Sequence, residues 1–239
     1  MDRAAWLRER REAVRADYDH DAPTYDDSPY PTTSHGSFID RLIGTTPLGG
    51  TILDAPCGTG QYFERIRAAG RHVVGIDQSA GMLAVAARRD LADRLQHIGL
   101  QELAFEPAFD GVFDAAMTVD AMENIPPEDW PLVLANLARA VVPAAHLYVT
   151  VEDIDDAEID AAFDRAMQLG WPAVHGEVVE GDTAGYHYYP GRDRVRRWLT
   201  DLPATIIDEA TDHEDGFSYW HLLVRTSMAY PPATGEDRG

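Results

Sequence analysis

Apolar and polar residues alternate along this chain in two different rhythms. Short apolar runs recur: "TILDAP" (residues 51–56), "HVVGID" (72–77), "LQHIGL" (95–100), "FDAAMTV" (113–119) and "HLYVTVE" (146–152). The first reads as a buried strand and the others as the second to fifth strands. Between them the period lengthens. "GQYFERIRAAG" (60–70) and "SAGMLAVAARRDL" (79–91) read as helices, as does "WPLVLANLARAV", where Trp130, Leu134, Leu137 and Val141 recur at helical spacing. Strand and helix in strict alternation predict a parallel sheet covered on both faces. Residues 1–20 read as an amphipathic helix with Trp6, Leu7, Val14 and Tyr18 on one side. Residues 21–38, rich in Pro and Tyr, read as a loop that covers a pocket.

The rhythm changes after residue 152. "DAEIDAAFDRAMQLG" (156–170) and "GRDRVRRWLTDL" (191–202) read as helices, the second with Val195, Trp198, Leu199 and Leu202 on one face. "ATIIDEAT" (204–211) and "FSYWHLLVRT" (217–226) then follow each other with only the polar turn "DHEDG" between them, which predicts an antiparallel hairpin. The expected organisation is one α/β domain. It comprises an N-terminal helix and lid (1–40), a ligand-binding core (41–152), a second lid with the hairpin (153–230), and a tail (231–239).

Charge narrows the partners. The 239 residues carry 41 acids and 20 bases, a formal net charge of −21. Such a field repels nucleic-acid backbones and anionic lipid. All the bases are arginine. Without lysine there is no Schiff base, no lysine general base and no Walker-type phosphate lysine. The lone Cys57 forbids an internal disulfide and a cysteine metal cluster. The charged start has no apolar signal region, and no apolar run approaches the ~18 residues of a membrane span. A cytoplasmic protein is expected, as a monomer or homodimer.

The chemistry concentrates at "LDAPCGTGQYF" (53–63). A strand turns there through Gly58 and Gly60, and Asp77 ends the next strand seventeen residues beyond Gly60. Glycines let backbone N–H groups approach a ligand, and an acid at that distance suits a ribose diol. Phe63 stands where a dinucleotide fingerprint places its third glycine, and Asp54 lies inside the turn. A carboxylate repels a pyrophosphate and attracts an ammonium. The turn therefore favours an adenosine ligand that carries an amine.

"LDAPCGTG" together with "VVGIDQSAGML" resembles the class I S-adenosylmethionine-dependent methyltransferases, over residues 52–151. The resemblance implies a Rossmann-like, doubly wound, mostly parallel seven-stranded sheet with an antiparallel C-terminal hairpin. It implies S-adenosylmethionine as cofactor and S-adenosylhomocysteine as product. On this resemblance Asp54 lies near the methionine amine, directly or through water. Gly58 and Gly60 shape the turn, with Pro56 at a position many relatives give to glycine. Asp77 takes the ribose hydroxyls, and Gln78 and Met82 flank the adenine. Gly99 stands where the family often has an acid, so Gln101, or else Glu102, is expected at the adenine amino group. Tyr25 is expected near the sulfonium, and Asp120 at cofactor or acceptor.

Acceptor-facing candidates lie on strand ends and lids. Asp120, His35 and His187 are the candidates for proton transfer. Tyr30, His35, Glu123, Asn124, Tyr186, His187 and Tyr188 are the candidates for holding a small-molecule acceptor through an oxygen or nitrogen. His221, inside an apolar strand, reads as a core histidine. Asp120, Glu152 and Asp153 also resemble the carboxylate placement of magnesium-dependent relatives, but those rely on a lysine, so no metal is expected. Two other functions fit parts of the pattern: a module that binds S-adenosylmethionine without turnover, and an NAD-linked oxidoreductase. Phe63 and Asp54 oppose the latter.

Overall fold

The computed structural model describes residues 2–27, 33–180, 185–214 and 217–227. Seven strands form one sheet: β1 (Thr51–Asp54), β2 (His72–Asp77), β3 (Arg94–His97), β4 (Phe113–Thr118), β5 (Val141–Glu152), β8 (Ala204–Glu214) and β9 (Phe217–Thr226). Their order is β3-β2-β1-β4-β5-β9-β8. The first five run parallel, whereas β9 is antiparallel to both β5 and β8. The hairpin is thus inserted so that its second strand joins the sheet first.

Helices cover both faces. Along each strand successive side chains alternate between two apolar layers, as pleating requires. Leu53, Val74, Ala116, Leu147, Val149 and Leu222 point into one layer. It is filled by Trp130, Val133, Leu134 and Leu137 of α5 (Trp130–Ala140), by Val195 and Leu199 of α7 (Arg192–Thr200), and by Trp6 and Val14 of α1 (Arg3–Asp21). Ile52, Val73, Ala115, Met117, Tyr148 and Leu223 point into the other. There they meet α2 (Thr33–Thr45), α3 (Phe63–Ala68) and α4 (Ala80–Arg88). Trp130 stacks on Trp198 with centroids 5.2 Å apart, tying α5 to α7.

Several elements differ from the expectations. The expected loop over 21–38 is a short 3-10 turn at Ala22–Asp27, and from Thr33 onward it is helix α2. Phe38, Ile39, Leu42 and Ile43 supply that helix with a buried stripe. The third strand stops at His97, although the Ile98 N–H still bonds to the Asp77 carbonyl at 3.0 Å. Strand β5 starts at Val141, directly after α5, and its register with β4 shifts between Phe113 and Ala115. A separate two-stranded sheet pairs β6 (Glu177–Glu180) with β7 (Gly185–Tyr188), after α6 (Asp156–Gln168). No described helix is long and apolar enough to cross a membrane. The tail from 228 onward lies outside the described residues.

Candidate functional site

The strand order reverses between β1 and β4: β1 leads outward to β2 and β3, and β4 to β5. Ligands in such sheets bind in the crevice beyond the carboxyl ends at that reversal. A cavity opens there, enclosing about 970 Å³ with its open mouth counted.

The floor is the turn after β1. Gly58 and Gly60 have φ of 52° and 77°, the left-handed region that glycine enters without strain. Nothing lies within 4 Å of where a Cβ on Gly58 would sit, so that backbone stands open to the cavity. At Gly60 a Cβ would meet the Phe63 ring at 2.6 Å. The same ring lies 2.9 Å from a Cβ built on Gly75 of β2. Phe63 therefore fills the space between turn and sheet. The Ala55–Pro56 peptide is cis, and Pro56 lines the cavity.

Two acids serve this turn. Asp77 ends β2, and its carboxylate accepts from the Gly58 N–H at 2.9 Å and from the Ser79 N–H at 2.8 Å. Burial pushes its pKa up, and the two N–H bonds hold it back. Asp54 ends β1 and is 1% exposed. Neither of its oxygens has a hydrogen-bond partner among the described residues. Burial, and then the charge of Asp77, push its pKa well above the usual carboxylate range. Asp54 stands behind the cavity wall rather than on it. A buried carboxylate with two vacant acceptors costs stability unless a donor reaches it.

The cover comes from the N-terminal segment. Tyr18 of α1 and Tyr25 of the following turn line the cavity, with rings 6.2 Å apart. The segment is bonded to the ligand-binding elements beneath it. Asp19 accepts from Ser79 Oγ at 2.6 Å and from the Gly81 N–H at 2.8 Å, at the start of α4. Gly81 permits that approach, because a Cβ there would meet the Asp19 carbonyl oxygen at 2.8 Å. Asp26 accepts from Thr59 Oγ1 in the glycine turn and from Arg89 Nη2, both at 2.6 Å.

The far wall follows β4. Asp120 has a φ of 51°, and its N–H donates to Thr150 Oγ1 at 2.7 Å. Its Oδ1 accepts from Tyr219 Oη at 2.8 Å. Burial raises the pKa of Asp120, and the Tyr219 hydrogen bond opposes the rise. His35 of α2 is buried, lies 3.2 Å from Tyr62 Oη through Nδ1, and meets the Tyr219 ring edge-on at 4.7 Å. Asn124 Nδ2 donates to Tyr18 Oη at 3.2 Å and to Glu123 Oε1 at 3.0 Å.

The cavity thus gathers Tyr25, His35, Pro56, Gly58, Asp77, Gln78, Met82, Gln101, Asp120 and Asn124. Gln101 Nε2 reaches Asp129 Oδ2 at 3.4 Å, which leaves its carbonyl oxygen as an acceptor. Sequence reasoning missed Tyr18, Cys57, Thr59 and Tyr62 as wall residues. Tyr62 directly follows the glycine turn, a position that could have signalled it.

Other expected residues stand elsewhere. Gly60 and Glu123 are behind the wall, and Glu123, 6% exposed, has its pKa pushed well up by burial, by Asp120 and by Glu152. Glu102 is exposed and lines an outer groove with Arg8 and Arg15 of α1. The β7 candidates do not reach the cavity. Tyr186 donates to Glu177 Oε1 at 2.6 Å, and Glu177 also takes Arg3 at 2.7 Å. The Tyr188 hydroxyl takes Arg194, and His187 lies on the opposite face of β7, 3.3 Å from Tyr189 Oη. The "YHYY" pattern is the alternation of a strand whose tyrosines pack inward. His221 is buried, with Nδ1 2.8 Å from Tyr148 Oη. Asp153 pairs with Arg192 at 2.7 Å. Tyr30 lies outside the described residues.

Residues 52–144 match the family described as a methyltransferase domain. The malonyl-[acyl-carrier protein] O-methyltransferase of Serratia marcescens is 30% identical over 215 residues, 82% of this chain and 80% of the relative. The corresponding enzyme of Pectobacterium atrosepticum is 32% identical over 129 residues, and that match spans only 53% of this chain and 49% of the relative. Among solved structures, the Burkholderia thailandensis 1,6-didemethyltoxoflavin-N1-methyltransferase, with S-adenosylhomocysteine bound, superposes with a TM-score of 0.67. It is 15% identical, over 90% of this chain and 88% of its own, a likeness of fold alone. Two motifs, a sheet order and the Serratia match together place this chain in the class I S-adenosylmethionine-dependent methyltransferases.

Proposed function

We propose that the protein transfers a methyl group from S-adenosylmethionine to an oxygen or nitrogen of a small-molecule acceptor. The observation that carries this reading is the pair of acids around the glycine turn. Asp77 has acceptor capacity left beyond its two N–H bonds, which suits ribose hydroxyls. Asp54 has two buried oxygens without a donor, which suits an ammonium, directly or through water. Gln101 offers a carbonyl oxygen to an adenine amino group, and Met82 and Gln78 flank that end. The Phe63 ring fills the space a pyrophosphate-binding turn keeps for glycine, which argues against a dinucleotide.

S-adenosylmethionine, when bound, supplies an electrophilic methyl on a sulfonium. The chain's part is to orient and to desolvate. Tyr18 and Tyr25 cover the cavity and exclude water. Asp120 and His35 stand on the far wall, where an acceptor proton can be taken if the acceptor arrives protonated. Aromatic rings and acids together favour an acceptor that is apolar, cationic or both. The relatives named above methylate oxygen in one case and nitrogen in the other. The surface charge of −21 fits a free small molecule in the cytoplasm better than a nucleic acid or a lipid surface.

Calorimetry with S-adenosylhomocysteine and, separately, NAD tests the reading. Heat with the first and none with the second is expected. Absence of heat with S-adenosylhomocysteine at high protein concentration refutes it.

A further inference from the structure

Asp120 is held in place from two strands that are not its own. Its φ of 51° is costly for a residue with a side chain and persists only under outside support. Thr150 on β5 accepts its N–H, and Tyr219 on β9 donates to Oδ1. Oδ2 has no hydrogen-bond partner among the described residues, and Asp120 lines the cavity. Tyr219 is itself fixed, 1% exposed with its ring edge-on to His35.

We propose that Tyr219 is a positioning residue: its hydroxyl fixes one oxygen of Asp120 so that the other is presented, ionised, to the methyl acceptor. This rests on the reading that Asp120 faces the acceptor. The acids nearby are Glu123 in the turn after β4, whose own pKa Asp120 helps to raise, and Glu152 at the end of β5. Tyr62 after the glycine turn, Tyr148 of β5 and His35 of α2 complete the titratable surroundings. Burial favours a protonated Asp120, and the hydrogen bond from the Tyr219 hydroxyl opposes it.

The test reads the Asp120 carboxyl directly, by carbon NMR of Asp-labelled full-length protein, with Asp120→Asn to assign the signal. In Tyr219→Phe the Asp120 midpoint is expected to rise by about one pH unit or more. The affinity for S-adenosylhomocysteine stays within about twofold, since Tyr219 is not on the cofactor side. A midpoint unchanged in a folded Tyr219→Phe overturns the proposal. If that variant does not fold, 3-fluorotyrosine at 219, a stronger donor of nearly the same size, carries the test. A lowered midpoint supports the proposal and an unmoved one overturns it. The two readings fail separately: wild type that binds no S-adenosylhomocysteine sinks the methyltransferase reading, whereas an unmoved midpoint with binding intact sinks only the role of Tyr219.

Discussion

Replacing Asp77 with asparagine changes one oxygen to an NH₂ and leaves the shape nearly unchanged. In the native turn both oxygens are engaged, one by the Gly58 N–H at 2.9 Å and one by the Ser79 N–H at 2.8 Å. Asparagine has a single acceptor, so one backbone N–H must face another donor. A buried donor left unsatisfied costs about 1–3 kcal/mol of stability, in the free protein and the complex alike, so it cancels from the affinity. The variant also removes the charge that would strengthen bonds to two ribose hydroxyls, a further ~1–3 kcal/mol. Against this, the neutral side chain escapes the desolvation that raises the pKa of Asp77, so the free protein loses less than the complex. The net expectation is a loss of about 1–3 kcal/mol in affinity for S-adenosylhomocysteine, or roughly 5- to 150-fold. Calorimetry on Asp77→Asn, with a thermal melt to establish folding, measures it. A folded variant that binds within about threefold of wild type would show that Asp77 does not hold the ligand.

The other predictions concern stability and its pH dependence. Burial raises the folded-state pKa of Asp54, so its protonated form stabilises the ligand-free protein below the unfolded value near 3.8, and that stability is lost as pH rises through the folded value. Asp54→Asn should flatten this fall in melting temperature and weaken S-adenosylhomocysteine binding; a melting curve that still tracks wild type across pH contradicts the assignment. Gly60→Ala places a methyl 2.6 Å from the Phe63 ring at a φ of 77°, and should cost more than about 2 kcal/mol in denaturant unfolding. Arg3→Ala leaves Glu177, whose side chain is 0% exposed, without its cation beside Tyr186, and should cost about 3–5 kcal/mol. A loss below ~1 kcal/mol would refute the role of this buried pair.

How far the chain could be read in advance depended on what each signal measures. Strands β1, β2, β4 and β5 were legible because a strand buried on both faces is a near-continuous apolar run. The glycine turn was legible because φ values of 52° and 77° leave few residue choices. Helix α2 was not, because its stripe of Phe38, Ile39, Leu42 and Ile43 sits behind prolines and around Gly36 and Gly44. The β7 aromatics were over-read. "YHYY" looks like a binding surface until Glu177 is seen to hold the Tyr186 hydroxyl and Arg194 that of Tyr188, with Arg3, 174 residues from Glu177, pairing with that acid. Tyr219 was missed because its partner Asp120 is 99 residues away.

The bonds of Asp19 and Asp26 bear on how the N-terminal segment can vary. Asp19 supplies acceptors to the opening turn of α4, and Asp26 braces Thr59 within the glycine turn. Residues 2–27 therefore act as a splint for the glycine turn and the start of α4 as well as lining the cavity above them. A chimera that exchanged this segment for a relative's, to graft a new acceptor preference, would also strip the α4 N-terminus and the turn of these acceptors. On the proposed function, acceptor choice and cofactor grip are mechanically joined at this edge of the molecule, and an exchange that spares one must carry both carboxylates with it.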